Sequence, residues 1–436
     1  MWTYYPELLA KPVPRYTSYP TAADFGPVDP SDLVSAIARS DGDVSLYLHI
    51  PFCEKICFYC GCNTGAAGRR QRLESYLAAL HTEIGTVSSL LPQGTHVRRI
   101  AFGGGSPNAI EPREFMELVD AIHRNFVLLD ASWSIELDPR SMTREWGGAI
   151  GEAGITRASM GVQTFAAHCQ KAIGREQDDA LICRSIDWLR AAGVTSLNFD
   201  LMYGLPEQTF GDLTKSLEYT SLMGADRVAL FGYAHVPQLV PRQRMIDAEN
   251  LPDAAERFAM AQLGFSYLTS AGYQPVGFDH FARPSDPLAQ AANAGVLRRN
   301  FQGFTDDPAP IVIGLGSSAI SLFPGLLVQN EKNSGRYRMQ ASQGRLTASH
   351  GIVRSQADQM RGQIIEQLLC QGTAVLSPCV MAWARNRLAP FIERDIARID
   401  AMRVTINPAG LPYARVLASL FDAYREQSLR QFSTAI

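Results

Sequence analysis

The chain has 436 residues, 46% of them apolar and 19% charged, a composition that can bury a large core and excludes a disordered polymer. A net charge of −3 without a clustered Lys/Arg stripe excludes nucleic acid as a main partner. No apolar run is long enough to span a bilayer, and MWTYYPELLAKPVPRYTSYP lacks the charged-then-apolar pattern of a signal peptide. The expected compartment is therefore the cytoplasm, where thiols stay reduced, with no membrane partner.

Residues 1–43 are rich in Pro, Tyr, Ser and Thr and predict an extended arm with one short helix near Ser31 to Arg39. A rhythm then begins in which β-type runs alternate with segments of helical period, the pattern of an α/β protein with a parallel sheet of βα units. The predicted strands are SLYLHI (45–50), RRIAF (98–102), SWSIEL (132–137), RASMGV (157–162), SLNFDLM (196–202) and RVALFGY (227–233). Between them, Leu73, Leu77, Leu80 and Ile84 share one helical face, as do Phe115, Leu118, Val119 and Ile122, and then Ile182, Ile186 and Leu189. Six repeats fall short of a full (β/α)8 barrel, so the expected fold over 44–335 is a partial (β/α)6 barrel. Beyond residue 335 the rhythm stops, and 336–436 are expected to form a smaller, mainly helical C-terminal domain.

Polar or glycine residues follow the strands: Gly103-Gly104-Gly105, Glu136, Gln163, Asp200 and Ala234-His235. The C-terminal strand ends of a parallel barrel open on one face, so these positions predict one mouth. Directly after the first strand stands HIPFCEKICFYCGCNTG, with Cys53, Cys57, Cys60 and Cys62 inside ten residues. Thiols this close can wrap one loop around an iron–sulfur cluster. Zinc, the main rival, normally needs a second Cys/His pair, and none with suitable spacing follows. If three cysteines hold three irons of a 4Fe-4S cube, the fourth iron is left open to a small molecule. Of the remaining cysteines, Cys183 and Cys370 fall in helical apolar patterns and are expected in the core. Cys169 and Cys379 carry no partner pattern.

The C-x3-C-x2-C triplet resembles the signature of the radical S-adenosylmethionine (SAM) superfamily, and FGGGSP (102–107), free of side chains at its centre, fits close approach to a ligand. A phosphate loop is the competing reading, but the GK[ST] ending is missing. The resemblance narrows over PRYTSYPTA (14–22), YLHIPFCEKICFYCGCN (47–63), GGGSP (103–107), SMGVQ (159–163), REQD (175–178), DLMYGLP (200–206), YAHVP (233–237), DHFARP (279–284), RNFQG (299–303) and QFS (431–433). Together these are similar to the oxygen-independent coproporphyrinogen III oxidases of haem biosynthesis.

That resemblance implies oxidative decarboxylation of two propionates of coproporphyrinogen III to vinyls, with a 4Fe-4S cluster, two SAM molecules and a reducing electron donor. It implies Cys53, Cys57 and Cys60 as cluster ligands, and Tyr47, Gly104, Glu136 and Ile320 around the reacting SAM. Tyr59, Gly105, Ser106, Gln163, Arg175, Asp200 and Ala234 match positions around the second SAM. Tyr59 stands where phenylalanine is familiar and Ser106 where threonine is, each keeping the ring or the hydroxyl. Cys62 is not needed as a ligand, but the CGCN at 60–63 is a feature of the oxidases and not of the related haem chaperones. Four propionates call for cations, and Arg15, Arg283, Arg298 and Arg299 lie in the oxidase-like stretches. The alternatives are a haem chaperone on the same scaffold and another radical-SAM enzyme acting on porphyrins. Nothing in the sequence demands a partner chain, so a monomer is expected.

Overall fold

The computed structural model describes residues 2–68 and 70–425, so QFS (431–433) lies outside the described residues. All six expected strands form: β1 (Gly42–Ile50), β2 (Thr95–Gly104), β3 (Leu128–Leu137), β4 (Arg157–Gln163), β5 (Ser196–Tyr203) and β6 (Arg227–Gly232). They lie side by side in chain order, each parallel to the next. The long helices between them are α1 (Arg70–Leu90), α2 (Pro112–Asn125), α3 (Arg144–Glu152), α4 (Asp179–Ala191) and α5 (Phe210–Leu222), followed by α6 (Ala254–Ser270), with one short helix, Ala167–Ala172, before α4. Start signals are local. Thr209 with Asp212 and Asp253 with Glu256 form capping boxes that satisfy the first backbone donors of α5 and α6.

The two-residue period of a strand divides the labour. On β1, Val44, Leu46, Leu48 and Ile50 are fully buried in the core that Leu73, Leu77, Leu80 and Ile84 of α1 also enter. Each such side chain contributes roughly 1.5–3 kcal/mol. The intervening Ser45, Tyr47 and His49 make polar contacts instead, with Asp307, with each other and with Ser318. The same alternation recurs on β3, where Trp133, Ile135 and Leu137 are core residues and Ser134 and Glu136 line a cavity. The core therefore turns the odd or even set of each strand toward the barrel axis.

Beyond β6 the structure departs from the expected rhythm. A hairpin, β7 (Gln274–Val276) and β8 (His280–Ala282), adds antiparallel to β6 at one edge of the sheet. At the other side β9 (Ile311–Leu315) lies parallel to β1, and β10 (Ile320–Phe323), β11 (Leu326–Asn330) and β12 (Ala348–Val353) continue antiparallel from it. IVIGL (311–315) is buried throughout, but no helix follows it, so it carries no βα signal. Among the described residues the thirteen-stranded sheet ends on two edges and does not close.

A second apolar core joins Leu9, Val13, Tyr16 and Tyr19 of the arm to Leu368 of α7 (Gln356–Gln371), Leu388 of α8 (Pro378–Ile392) and Phe421. The arm is also tied down by Tyr413, whose hydroxyl donates to Thr3 O, and by Tyr16, whose hydroxyl donates to Asp422. Helices dominate among the described residues after 355, with one small antiparallel sheet of Thr373–Val375, Arg403–Ile406 and Ala397–Asp400. Of the two cysteines expected in the core, Cys370 is buried and Cys183 is exposed, because it falls one position off the Ile182–Ile186–Leu189 stripe of α4. No described helix is long and apolar enough to cross a membrane.

Candidate active site

The cysteine loop leaves β1 and is pinned at both ends. Residues 52–53 pair with 65–66, the Ala67 N–H donates to Cys53 O, and Phe58 N–H donates to Ile173 O at the end of the short helix that follows β4. The glycine loop after β2 locks onto it, with Gly105 N–H donating to Ile50 O and Ser106 N–H to Phe52 O. Only glycine fits there. A Cβ on Gly105 would lie 2.6 Å from Phe52 O, and one on Gly104, already at φ +118°, would lie 2.8 Å from the His49 ring.

Between these loops a chamber of about 590 Å³ opens at the C-terminal ends of the strands. Cys53, Cys57 and Cys60 form one wall, with Cys62 and Tyr59 beside them. Gly104, Gly105, Glu136, Gln163, Arg175, Asp200 and Ala234 form the rest, and Arg15 of the arm reaches its rim. Ile320 and Tyr47 lie in an adjoining space of about 320 Å³ that shares Cys62, Gly104 and Glu136 with the chamber. Ser106 is the exception among the expected ligand contacts. It is 4% exposed and its hydroxyl donates to Asn108 Oδ1 at 2.6 Å, which helps to join the glycine loop to the end of β3.

The thiols sit in an anion-favouring setting. Cys57 Sγ accepts from Arg175 Nη1 at 3.3 Å and from Arg140 Nη2 at 3.4 Å. The Cys62 side chain and backbone N–H donate toward Cys60 Sγ and bring that thiol down to about 6 against the opposing pull of burial. Burial raises the Cys53 thiol, partly countered by the Thr64 hydroxyl 3.2 Å away. Soft thiolates grouped on one wall, with guanidinium donors on a sulfur and side-chain-free backbone opposite, fit an iron–sulfur cluster and a ligand held against it. The cysteine, glycine and carboxylate positions thus satisfy the requirements of both groups.

Across the chamber stand two carboxyls. Glu136 Oε2 accepts from Gly104 N–H at 3.2 Å, and Asp200 accepts from Ser159 and Asn198. Glu136 is reached by solvent from the chamber but otherwise walled by protein. Desolvation by that wall, then the Asp200 charge, raises it to about 7. Asp200 is itself raised, chiefly by burial. The Tyr47 hydroxyl and His49 Nδ1 are 3.1 Å apart, and burial lowers His49 to about 4, so its ring is neutral.

Sequence reasoning missed the residues that hold this arrangement. Asp138, in the DPR turn after β3, accepts from both Arg175 and Arg140 and so fixes the two guanidiniums that reach Cys57. Gln243 donates to Tyr59 O and Ala234 O, joining two walls. The only signal for Asp138 was a second acid two places after Glu136. For Gln243, in an irregular turn, there was none.

The four expected substrate arginines separate. Arg15 lines the chamber, and Arg299 lies behind it, donating to Arg15 O and Tyr16 O. Arg298 is paired with Glu366 at 3.1 Å. Arg283 lies over the Tyr273 ring at 3.9 Å and donates to Ala271 O, outside the chamber wall.

An open parallel barrel whose first loop presents a thiol trio at the mouth is the construction of a radical SAM protein, and residues 47–220 match the model of the Radical SAM superfamily. Within that superfamily the likeness is specific. The chain is 38% identical over 437 residues to the oxygen-independent coproporphyrinogen III oxidase of Bradyrhizobium diazoefficiens, covering 97% of each chain. It is 35% identical to that of Escherichia coli strain K12, covering 97% of this chain and 96% of the other. The solved structure of the E. coli coproporphyrinogen III oxidase, a radical SAM enzyme, superposes with a TM-score of 0.89 at 34% identity over 97% of this chain and 99% of that one. This chain belongs to the oxygen-independent coproporphyrinogen III oxidase family.

Proposed function

We propose that this protein converts coproporphyrinogen III to protoporphyrinogen IX without oxygen, each of two propionates losing a hydrogen atom, carbon dioxide and one electron to become a vinyl group. When bound, the 4Fe-4S cluster and SAM supply the 5′-deoxyadenosyl radical that takes the hydrogen from the propionate β-carbon. The observation that carries the reading is the single chamber of about 590 Å³ that gathers the thiol trio, the glycine loop, two opposed carboxyls and an arm arginine.

In this reading Cys53, Cys57 and Cys60 hold the cluster, and Arg175 and Arg140 stabilise the Cys57 thiolate. Gly104, Tyr47, Glu136 and Ile320 orient the reacting SAM; Glu136 as carboxylate pairs with its ammonium group. Gln163, Arg175, Asp200, Ala234, Gly105 and Tyr59 surround the space for a second SAM, with Ser106 supporting from behind. Neutral His49 accepts the Tyr47 proton and fixes that ring. Arg15 meets a substrate carboxylate from the arm side, held in place by Arg299, which donates to Arg15 O and Tyr16 O from behind. An external reductant supplies the electrons for SAM cleavage, the electron released with each carbon dioxide passes to an electron acceptor, and the enzyme works as a cytoplasmic monomer built of the arm 1–43, the barrel 44–335 and the region 336–436.

The test is anaerobic reconstitution with iron and sulfide, then reductant, SAM and coproporphyrinogen III, followed by mass spectrometry. Loss of two carbon dioxides matched by 5′-deoxyadenosine is expected. Haem binding without conversion would instead identify a chaperone.

A further inference from the structure

Tyr76 and Glu83 lie seven residues apart on α1, on the face that buries Leu80 and Val87, so a carboxyl stands where the helical pattern calls for an apolar residue. Glu83 is 2% exposed, and no ion pair to it forms among the described residues. Three donors meet it instead. Glu83 Oε2 accepts from Gly316 N–H at 2.7 Å and from the Tyr337 hydroxyl at 2.6 Å, and Oε1 accepts from Asn330 Nδ2 at 3.0 Å. Burial still raises it to about 7 against those donors. A buried carboxyl without a cation is costly, so core packing alone does not account for it.

What the donors carry accounts for it. Gly316 opens the turn 316–319 between β9 and β10, and two residues of that turn are left-handed, Gly316 at φ +97° and Ser318 at φ +61°. For serine that conformation is strained, and it persists only where neighbours fix it. The fixing contacts come from α1 and the end of β11. Ser317 N–H donates to the Tyr76 hydroxyl, Asn330 donates to Gly316 O as well as to Glu83, and Gln329 donates to Ser318 O. A Cβ on Gly316 would lie 2.6 Å from both His49 O and the Tyr76 hydroxyl, so the turn is pressed against β1. Ser318 Oγ lies 3.3 Å from His49 Nε2, and Ser318, Ile320, Gln329 and His49 all line the space of about 320 Å³ that Tyr47, Gly104 and Glu136 also line.

We propose that Glu83 is a positioning residue for the reacting SAM: from behind the wall its two oxygens hold the turn 316–319, and through it Ser318 and Ile320, in place beside His49. The proposal rests on the placing of SAM in that space proposed above. A carboxylate suits this role and an amide does not. Gly316, Tyr337 and Asn330 all present hydrogens, and Asn330 cannot reverse its amide because Nδ2 also donates to Gly314 O and Gly316 O. A glutamine here would turn one N–H toward another in either orientation.

The test uses the full chain, cluster-free and reconstituted under nitrogen, with SAM as the probe. In cluster-free Glu83→Gln the amide hydrogens of residues 316–320 are expected to exchange about 10-fold faster than in the wild type. In the reconstituted variant the cluster should load normally. The SAM concentration that half-converts the electron paramagnetic resonance signal of the reduced cluster should rise about 10-fold, with kcat at saturating SAM within about twofold. Asp306→Ala, which breaks the pairs with Arg99 and Arg157 at the other end of the strands, controls for lost stability and should keep wild-type SAM affinity in its folded fraction. Tyr337→Phe removes one donor and keeps the carboxylate. Its SAM affinity should weaken about threefold, and it decides the matter if the Gln variant does not fold. Unchanged exchange at 316–320 overturns the proposal, as does faster exchange with wild-type SAM affinity. An equal loss in Asp306→Ala overturns it too, because it marks general destabilisation. Wild-type protein whose cluster signal ignores SAM would defeat the placing of SAM itself, whereas a normal wild-type response beside an unaffected variant defeats only the role of Glu83.

Discussion

The two ends of the barrel carry charge in opposite ways. At the N-terminal end of the strands, Asp306 receives both nitrogens of Arg157 at 2.7 Å and a third donor from Arg99 at 2.8 Å. Against the upward pull of burial, those guanidiniums hold its carboxyl well below the usual range. Asp307 accepts from Ser45, and Asp286 from Ser196 with Arg227 3.7 Å away. At the other end burial raises two carboxyls, Glu136 and Asp200, the Asp200 charge adds to the rise at Glu136, and a wall of thiols faces them. One end pairs its acids with arginines, and the other, beside the Asp138 pairs with Arg140 and Arg175, keeps two carboxyls for which no ion pair is formed among the described residues. The difference teaches where ligands belong, because folding alone would favour the first arrangement at both ends.

The largest effect should come from the chamber. Cys57→Ser removes both a soft ligand and the acceptor of two guanidiniums, and is expected to abolish the 4Fe-4S absorption and all turnover while the melting transition of the cluster-free chain barely moves. A variant that kept its cluster would break the assignment of that wall. At the closed end the expectation is reversed. Asp306→Ala strands Arg99 and Arg157 and should cost about 3–5 kcal/mol in denaturant unfolding, with SAM affinity retained in whatever fraction remains folded. If it lost cofactor binding and kept its stability, the contrast between the two ends would be wrong.

Opposite pKa directions give the two ends opposite pH behaviour. The depressed Asp306 contributes stability above the ordinary aspartate range that is lost as acid protonates it. Glu136, raised to about 7, keeps its proton in the folded chain where an unfolded glutamate near 4.5 has released it. The ligand-free protein should therefore lose stability as pH rises from about 4.5 to about 7, and Glu136→Gln should flatten that slope. SAM affinity should run the other way, strengthening through pH 7 as the carboxylate forms, and the Gln variant should bind weakly at every pH. Isothermal titration from pH 6 to 8 reads both.

Much of the first arrangement was legible because it repeats. Each of the six strands announces itself by local pattern, and the residues that face the mouth follow from the period of two once the core face is known. The thiol trio and the glycine loop are legible because their chemistry needs contiguous residues. What was not legible is built across distance. Asp306 neutralises arginines from β2 and β4, Asp138 joins the thiol loop to Arg175, and β9 enters the sheet beside β1 without a helix to mark it.

The arginines of the substrate side offer the smallest and most discriminating comparison. Arg283 stands in an oxidase-like motif, yet its guanidinium is spent on the Tyr273 ring and Ala271 O. Both partners sit at the turn between α6 and β7, so its work is to brace the edge hairpin. Arg283→Ala should lower stability by about 1 kcal/mol and leave the KM for coproporphyrinogen III within about twofold. A large rise in KM would mean that the edge hairpin moves toward the chamber when substrate binds. In that case a motif's position in sequence would have told more than the place of its side chain in the fold.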